Sequence, residues 1–289
     1  RYVGTLESKA ILITGCDTGF GRLMALNYCE QGALVFAACL TEEHAKTLRA
    51  EAKGPGVLMT VILDVTKEDH VQKAFEFVKA ELKGKPLCAL INNAGIFAGF
   101  YVEMTKMDEY RRSMEINFFG HVNMVRTFLP MMQNPGGRIV SVISLSGVYA
   151  LRGASAYSAS KFAVSAFLDS LRNELRNTGI KVIKIMPGGH ATPGAAQYTG
   201  LLKAEERWRE ATEDVRSRYP NDLIEVHVAK SHQYKKYWGD PMNIVNAVKD
   251  AMLLKNPSLM YLVGNDAVFL GKFVTQLPTS WQDYIQACL

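Results

Sequence analysis

Short apolar runs alternate with amphipathic stretches of helical period along the chain as far as residue 190. The runs are rich in Val, Ile and Leu and show little polar alternation, which is typical of strands buried on both faces of a sheet. Strand and helix in strict succession predict right-handed crossovers, and therefore an α/β fold with a doubly wound parallel sheet of the Rossmann type. The predicted strands are residues 9–14, 33–38, 57–63, 87–91, 137–143 and 180–186.

The pattern changes after residue 190, where residues 194–238 carry many charged and aromatic side chains. Within them, residues 201–218 predict one amphipathic helix. The segment follows the carboxyl end of a sheet strand, where ligands bind in open α/β sheets, so we expect a mobile lid over a substrate. A further helix is predicted from Pro241, then a last strand at residues 259–263 and an apolar, aromatic tail at residues 265–289.

The composition is that of an ordinary globular chain, with 289 residues, 48% hydrophobic and 21% charged. No linker, repeat or low-complexity stretch divides the chain, so a single domain is predicted over residues 1–289. The net charge of +5 is mild, and no basic run with interleaved aromatics indicates nucleic acid. Because the chain starts at Arg1 rather than Met, we expect a processed or trimmed form.

The apolar tail raises the question of a membrane. No stretch reaches the about 18 uninterrupted apolar residues that a spanning helix needs, and residues 259–278 are interrupted by Asn265, Asp266 and Lys272. The tail predicts docking on a membrane surface without spanning it. A tail packed on its own core or on a dimer partner is the alternative.

The five cysteines predict neither a metal site nor a disulfide framework. Their number is odd and no close Cys/His spacing resembles a zinc site, which favours a reduced compartment. They are Cys16, Cys29, Cys39, Cys88 and Cys288.

A glycine-rich loop, residues 14–21, links the first strand to the first helix. Gly15 would allow a tight turn, Gly19 would let the backbone approach a pyrophosphate, and Gly21 would let helix and strand pack closely. The start of the helix would present free N–H groups to phosphates. The loop therefore predicts a dinucleotide site, with a ligand-free glycine turn as the alternative.

Tyr157 and Lys161 lie four residues apart in a predicted helix, residues 156–177, and therefore share one face. An ammonium beside a phenol favours the phenolate, so we expect Lys161 to lower the pKa of Tyr157 and to make it a proton-transfer group. Ser144 lies just after the strand at 137–143 and could hold a substrate oxygen. Asn117 lies within an apolar helical stretch although Asn is a poor helix former; it is either a satisfied buried amide or a link in a proton relay.

These motifs, with those of residues 92–95 and 187–192, resemble in order and spacing the short-chain dehydrogenase/reductase family over roughly residues 8–192. The resemblance implies an NAD(P)-dependent alcohol dehydrogenase with a catalytic tetrad. It also implies that Lys161 holds the nicotinamide ribose and that Thr192 meets the carboxamide. The family often has two adjacent serines where this chain has Ser-Leu-Ser, and the spacing to Tyr157 favours the first. The tetrad then falls on Asn117, Ser144, Tyr157 and Lys161.

The expected cofactor is NAD rather than NADP. An NAD enzyme usually has an acid at the end of the second strand, near Cys39 here, but neither an acid nor a base stands there. Asp17, implied by the resemblance as a ribose contact, would repel a 2′-phosphate. Motifs and resemblance together give these candidate cofactor contacts: Gly15, Asp17, Gly19, Phe20, Gly21, Cys39, Asp64, Val65, Asn92, Ala94, Gly95, Tyr157, Lys161, Pro187, Gly188 and Thr192.

A finer resemblance involves residues 14–21, residues 35–40 and the region after 190. These are similar to the branch that holds retinol dehydrogenases, some hydroxysteroid dehydrogenases and mitochondrial 3-hydroxybutyrate dehydrogenase. The branch implies a small lipophilic alcohol or ketone as substrate and association with the endoplasmic reticulum membrane, or alternatively a mitochondrial location. We also expect a homo-oligomer.

Several alternatives stay open from the sequence. Lid cations could serve a small hydroxy acid, as in 3-hydroxybutyrate dehydrogenase, and an NADPH-dependent carbonyl reductase would run the same chemistry backwards. A non-catalytic nucleotide-sensing scaffold is the alternative that is not an enzyme. His190 is either a substrate contact or a solvated loop residue. The lid cations are Lys203, Lys230, Lys235 and Lys236.

Overall fold

The computed structural model describes residues 2, 4–192 and 201–288. Seven parallel strands form one sheet in the order β3-β2-β1-β4-β5-β6-β7. The predicted doubly wound parallel sheet is thereby confirmed. The strands are β1 (Ala10–Ile13), β2 (Leu34–Cys39), β3 (Val57–Ile62), β4 (Ala89–Asn92), β5 (Arg138–Val142), β6 (Lys181–Pro187) and β7 (Met260–Val263).

The strands differ from the prediction in two respects. Leu87 makes only an isolated bridge to Met132, so β4 begins two residues later than expected. The expectation of burial on both faces fails for β3, because β3 is an edge strand; β7 is the other edge strand. Val57 at the start of β3 and Met260 at the start of β7 are exposed.

Helices cover both faces of the sheet. They are α1 (Gly19–Glu30), α2 (Glu42–Glu51), α3 (Glu68–Leu82), α4 (Met107–Met114), α5 (Gly120–Phe128), α6 (Ser155–Glu174), α7 (Leu201–Glu210), α8 (Glu213–Arg216), α9 (Leu223–Lys235), α10 (Met242–Leu253), α11 (Asn265–Val268) and α12 (Thr279–Cys288). A π-helical segment, Glu115–Phe119, joins α4 to α5 without interruption of the chain direction.

The lid region differs from its prediction. The single helix expected at residues 201–218 is two helices, α7 and α8, because the Thr212 side chain accepts a hydrogen bond from the Val215 N–H at 3.3 Å and so caps a new helix. Residues 194–200 of the predicted lid, and the side chains of Leu201, Leu202 and Lys203, lie outside the described residues.

Two apolar cores lie on opposite faces of the sheet. Alternate strand residues supply them, since Ile11 and Ile13 face one side and Leu12 faces the other. Helices α1 and α10 cover the first face, and α3, α5 and α6 cover the second. The strand order reverses between β1 and β4, and this reversal opens a crevice at their carboxyl ends where an open α/β sheet binds ligands.

The tail has an inner and an outer face. On the inner face Leu270 and Val274 are buried in a cluster with Leu145 and Tyr149, so part of the tail is core. Its outer face leaves large apolar side chains exposed, namely Phe269, Phe273, Leu277, Trp281 and Tyr284. Within residues 2, 4–192 and 201–288, no helix combines the length and the apolarity that crossing a membrane requires.

Candidate active site

The phosphate loop is tied to the end of β4 by side-chain hydrogen bonds. Thr14 Oγ1 accepts from the backbone N–H groups of Asn93 and Ala94 at 2.9 and 3.0 Å. Asn93 Nδ2 donates to the carbonyls of Thr14 and Gly15 at 2.9 and 3.1 Å. Thr14 and Asn93 were not among the predicted site residues, although both stand within the motifs that were recognised. Their role became visible only when the ends of β1 and β4 were brought side by side.

The three loop glycines differ in what a side chain would meet. Gly15 has a φ of +70°, which a side chain would disfavour. A Cβ at Gly21 would lie 2.1 Å from the Gly15 carbonyl oxygen, so only glycine permits this approach of helix and loop. At Gly19 a Cβ would meet Thr192 Cβ only at 3.7 Å, which shows that the phosphate loop and the turn after β6 face each other.

The amino terminus of α1 fits an anionic ligand. Its N-cap residue, Thr18, forms no side-chain capping bond, and the first turn contains no acidic residue. The first N–H groups of a helix need acceptors, and phosphate oxygens are suitable ones. Phe20, in this turn, packs edge-on against His190 with ring centroids 5.7 Å apart.

Asp17 reaches the carboxyl end of β2. Its two carboxylate oxygens accept from the Leu40 N–H at 2.9 and 3.1 Å, and His44 Nδ1 lies 3.2 Å from the carboxylate. Asp17, from the phosphate loop, therefore places a carboxylate at the end of β2, where the strand itself has no acidic residue. Cys39 is fully buried in the core, so only its backbone could meet a cofactor, whereas Leu40 is exposed.

Two cations near this end of the site were not recognised from the sequence. The charges of Arg22 and Arg49 both act to lower the pKa of Cys39, although burial, the largest cause, and Asp17 raise it to about 12. Each is paired with a carboxylate: Arg22 with Glu51 at 2.9 Å, and Arg49 with Glu42 at 2.5 Å.

Other predicted cofactor residues lie around the same crevice. Asp64 follows β3 and accepts from the N–H and hydroxyl of Thr66 at 2.9 and 2.7 Å. Val65 is buried against Gly120 of α5. Asn92, the last residue of β4, is fully buried.

Ser144 and Tyr157 form the central contact of the candidate site, through a side-chain hydrogen bond. Tyr157 is half-buried at the start of α6 and packs against Phe97 with ring centroids 5.0 Å apart. Lys161 Nζ lies 5.5 Å from the Tyr157 ring centroid. The hydrogen bond to Tyr157 favours Ser144 as the serine of the site. Ser146, the alternative, is fully buried.

The expected lowering of the Tyr157 pKa by Lys161 is not found. Burial raises the pKa of Tyr157 to about 12, and the hydrogen bond with Ser144 offsets only part of this rise. Lys161 Nζ lies over the Tyr157 ring, and burial lowers the pKa of Lys161 itself to about 8. Burial disfavours the charged form of both groups, so the neutral phenol is favoured.

Asn117 lies in the π-helical segment, which accounts for an asparagine inside an apolar helical stretch. Its Oδ1 accepts from the Ile96 N–H at 2.8 Å, and its Nδ2 donates to the Ile96 carbonyl and to Ser160 Oγ, both at 2.9 Å. The amide is thus fully satisfied by protein groups. Ser160, which the sequence did not single out, fixes it to α6.

Gly95 brings Asn117 and Lys161 to one place. A Cβ on this glycine would lie 3.1 Å from Asn117 Oδ1 and 3.2 Å from Lys161 Nζ. Beside it, the buried His121 places Nε2 3.2 Å from the Ala94 carbonyl. Burial, and then the Lys161 charge, lower the pKa of His121 to about 3, so the imidazole is neutral. The sequence analysis did not single out His121.

The turn after β6 completes the crevice. Pro187 ends the strand and Gly188 donates its N–H to the Val263 carbonyl at 2.9 Å. His190 is only 2% exposed, with Nδ1 3.1 Å from the Gly188 carbonyl, so a solvated loop histidine is excluded. Thr192 N donates to the His190 carbonyl at 3.0 Å.

Residues 9–200 match the short chain dehydrogenase family. The chain belongs to this family. It is 35% identical to 17-beta-hydroxysteroid dehydrogenase type 6 of Bos taurus, over 99% of this chain and 90% of the relative. It is 33% identical to retinol dehydrogenase 7 of Mus musculus, over 96% and 88%. The predicted family, its retinol and hydroxysteroid branch, and an NAD(P)-dependent alcohol dehydrogenase activity are confirmed.

Solved structures of short-chain dehydrogenases share the fold. One from Streptomyces avermitilis superposes with a TM-score of 0.75 at 24% identity and 97% coverage of both chains. A Burkholderia phymatum structure in complex with NAD has a TM-score of 0.70 at 21% identity, covering 97% of this chain and 96% of the other. A Burkholderia cenocepacia structure in complex with NADP has 0.70 at 24%, covering 96% and 99%. The fold therefore accommodates both nicotinamide cofactors.

We predict that Lys161→Met stabilises this short-chain dehydrogenase at neutral pH. The folded pKa of about 8 is below the ordinary value of 10.5, so folding disfavours the ammonium fully below pH 8. The cost disappears as pH rises from 8 to 10.5. Removing it should raise the free energy of unfolding by about 3 kcal/mol at pH 7 and by little above pH 10.5. Urea denaturation over this pH range measures the effect.

Lys184→Met is the matched control. Lys184 is similarly buried but is paired with Asp169 at 2.8 Å, so its removal should bring no comparable gain. Equal stabilisation by both substitutions, or a gain that grows with pH, would contradict the expected cost at Lys161.

Proposed function

We propose that the chain interconverts a lipophilic alcohol, of the retinoid or steroid class, and its carbonyl compound with NAD. The observation that carries this proposal is the hydrogen bond between Ser144 and Tyr157 at the mouth of a crevice lined by the phosphate loop and the turn after β6. The names of the relatives, a hydroxysteroid dehydrogenase and a retinol dehydrogenase, favour this substrate class over a small hydroxy acid.

In the proposed reaction a bound nicotinamide would accept the hydride from the alcohol, or would supply it to the carbonyl compound in the reverse direction. Tyr157 moves the proton between its hydroxyl and the substrate oxygen, which Ser144 holds by a second hydrogen bond. The protonated state of Tyr157 suits proton donation to a carbonyl oxygen as the charge on that oxygen develops. Lys161 would hold the nicotinamide ribose. Asn117, whose side-chain amide is already bonded to Ile96 and Ser160, would serve a proton relay by fixing the π-helical segment rather than by passing a proton itself.

We propose that the cofactor lies along the crevice. Gly15, Gly19, Phe20 and Gly21 would hold the pyrophosphate at the uncapped start of α1. Asp17 and the backbone of Cys39 would meet the adenosine ribose, and Asp64 and Val65 would flank the adenine. The nicotinamide half would lie against the remaining predicted contacts, namely Asn92, Ala94, Gly95, Pro187, Gly188 and Thr192.

The described part of the predicted lid supports an apolar substrate. Trp208 of α7 packs against a cluster that contains the buried side chains of Phe100 and Leu223. Arg207 fastens α7 by donating to the Gly99 carbonyl at 2.6 Å and by pairing with Glu109. We propose that residues 194–238 cover the substrate and select it by apolar contact.

The exposed outer face of the tail supports association with a membrane surface, which we place at the endoplasmic reticulum by resemblance to the branch. Aromatic side chains favour the membrane interface, and Lys272 among them could snorkel.

A homo-oligomer is also proposed. Phe119 and Phe162 are exposed on the π segment and α6, which contact each other, and association would cover both.

Tyr157→Phe is the direct test of the proposed function. Only the phenol oxygen is lost, so turnover of retinoid and steroid alcohols should fall by about 10²–10⁴-fold while NAD binding stays nearly intact. Absorbance at 340 nm over a substrate panel measures turnover, and calorimetry measures binding. Tyr149→Phe, at a buried tyrosine that packs against the tail, is the control. Activity within about threefold of wild type would refute the role of Tyr157.

Asp17→Ser tests the choice of cofactor. The carboxylate at Leu40 would repel a 2′-phosphate, so wild type should bind NAD more tightly than NADP. The serine variant should narrow the preference by about tenfold, as a lost unit of close charge repulsion implies. Glu30→Gln, at the opposite end of α1, should leave it unchanged. Tighter binding of NADP by wild type would contradict the proposal.

Flotation with liposomes tests the membrane surface. Because Leu270 and Val274 belong to the core, substitutions on the outer face are better suited than truncation. A variant with Phe269, Phe273 and Trp281 all changed to Ser should stay folded and lose flotation. Met107→Ser, which removes an equally exposed apolar side chain elsewhere, should still float. A wild-type chain that remains entirely in the soluble fraction would show that the tail is no anchor.

A further inference from the structure

The turn after β6 is held on several sides. The Gly189 carbonyl accepts from the Gly239 N–H at 2.9 Å, and His190 forms a parallel bridge with Gly239. Gly188 is bonded to the end of β7 through Val263. The turn thus lies between the end of the lid segment and the start of the tail.

Asp266, the second residue of α11, supplies the central bond of this arrangement. Its Oδ2 accepts from the Gly189 N–H at 2.7 Å and also from the hydroxyl of Tyr234, which belongs to α9. One carboxylate oxygen therefore joins the turn, the lid helix and the tail. Asp266 Oδ1 is buried and has no hydrogen-bond partner among the described residues.

The packing around the turn leaves it little freedom. A Cβ at Gly188 would lie 2.0 Å from Asp266 Oδ1, and a Cβ at Gly189 would lie 2.4 Å from Trp238 Cδ1. The two glycines are thus wedged between Asp266 on one side and Trp238 on the other. A movement of Asp266 or Trp238 would therefore displace the backbone of the turn.

Asp266 is half-buried, and the hydrogen bonds of its carboxylate are concentrated on one oxygen. The Gly189 N–H and the Tyr234 hydroxyl both donate to Oδ2, and hydrogen bonds to a carboxylate are short and directional. Such a bond defines the position of the Gly189 amide closely.

We propose that Asp266 is a positioning residue for the nicotinamide half of the cofactor. It fixes the Gly188–Thr192 turn through the Gly189 amide, and it couples the lid to that turn through Tyr234. The inference rests on the proposed function, which places the nicotinamide at this turn. Asp266 itself need not touch the cofactor, and the adenosine half, held by the phosphate loop, does not depend on it.

Comparison of NAD with ADP-ribose, which lacks only the nicotinamide ring, tests this division. Asp266→Ala should weaken NAD binding by about tenfold, the effect of one charge-assisted hydrogen bond, and change ADP-ribose binding by less than about twofold. Asp266→Asn keeps an acceptor oxygen and should recover most of the NAD affinity. Asp283→Ala, an exposed acid in the same tail, should alter neither. Isothermal calorimetry measures all four proteins.

A second measurement serves if Asp266→Ala does not fold. Hydrogen exchange of α9 should slow more with NAD than with ADP-ribose in wild type. Tyr234→Phe removes the lid's bond to Asp266 and should abolish that difference while the chain remains folded.

The outcomes separate the two proposals. Equal weakening of NAD and ADP-ribose by Asp266→Ala, or equal NAD protection of α9 in Tyr234→Phe and wild type, would overturn the role of Asp266 and leave the proposed function intact. If wild type binds NAD no more tightly than ADP-ribose, the nicotinamide does not lie at this turn. In that case the proposed function fails, and the role of Asp266 fails with it.

Discussion

The candidate site depends on the hydrogen bonds that Thr14 and Asn93 form with each other's backbone. They join the ends of β1 and β4, the two strands between which the sheet order reverses. Without them the crevice would be a gap between diverging loops. The same bonds set the height of Gly15 against Ala94, and Gly21 can then approach the Gly15 carbonyl. The phosphate loop is therefore shaped by its neighbour strand as much as by its own glycines.

The catalytic group is assembled at a cost in stability. Lys161 is buried without a carboxylate partner among its described contacts, and burial shifts its pKa and that of Tyr157 towards their neutral forms. Proteins often retain such unfavourable groups where chemistry needs them. The satisfied amide of Asn117 and the neutral His121 surround this region with polar groups that bring no opposing charge. The environment tunes protonation by removing water rather than by pairing charges.

Much of this could be predicted from the sequence, because buried parallel strands and glycine turns are specified locally. The seven strands, α1 and the helix that carries Tyr157 follow from periodicity within single segments. One missed feature is local, and the others arise between segments. Thr212 splits the lid helix through a capping bond, and the exposure of β3 depends on its place at the sheet edge. The sign of the Tyr157 shift depends on burial, which spacing to Lys161 does not reveal.

The position of Asp266 in the chain has a consequence for biosynthesis. During translation β1 to β4 and the phosphate loop are made long before residue 266 is added, and until then the Gly189 amide lacks its carboxylate acceptor. The turn after β6 therefore reaches its final hydrogen bonding only when the C-terminal tail has been synthesised.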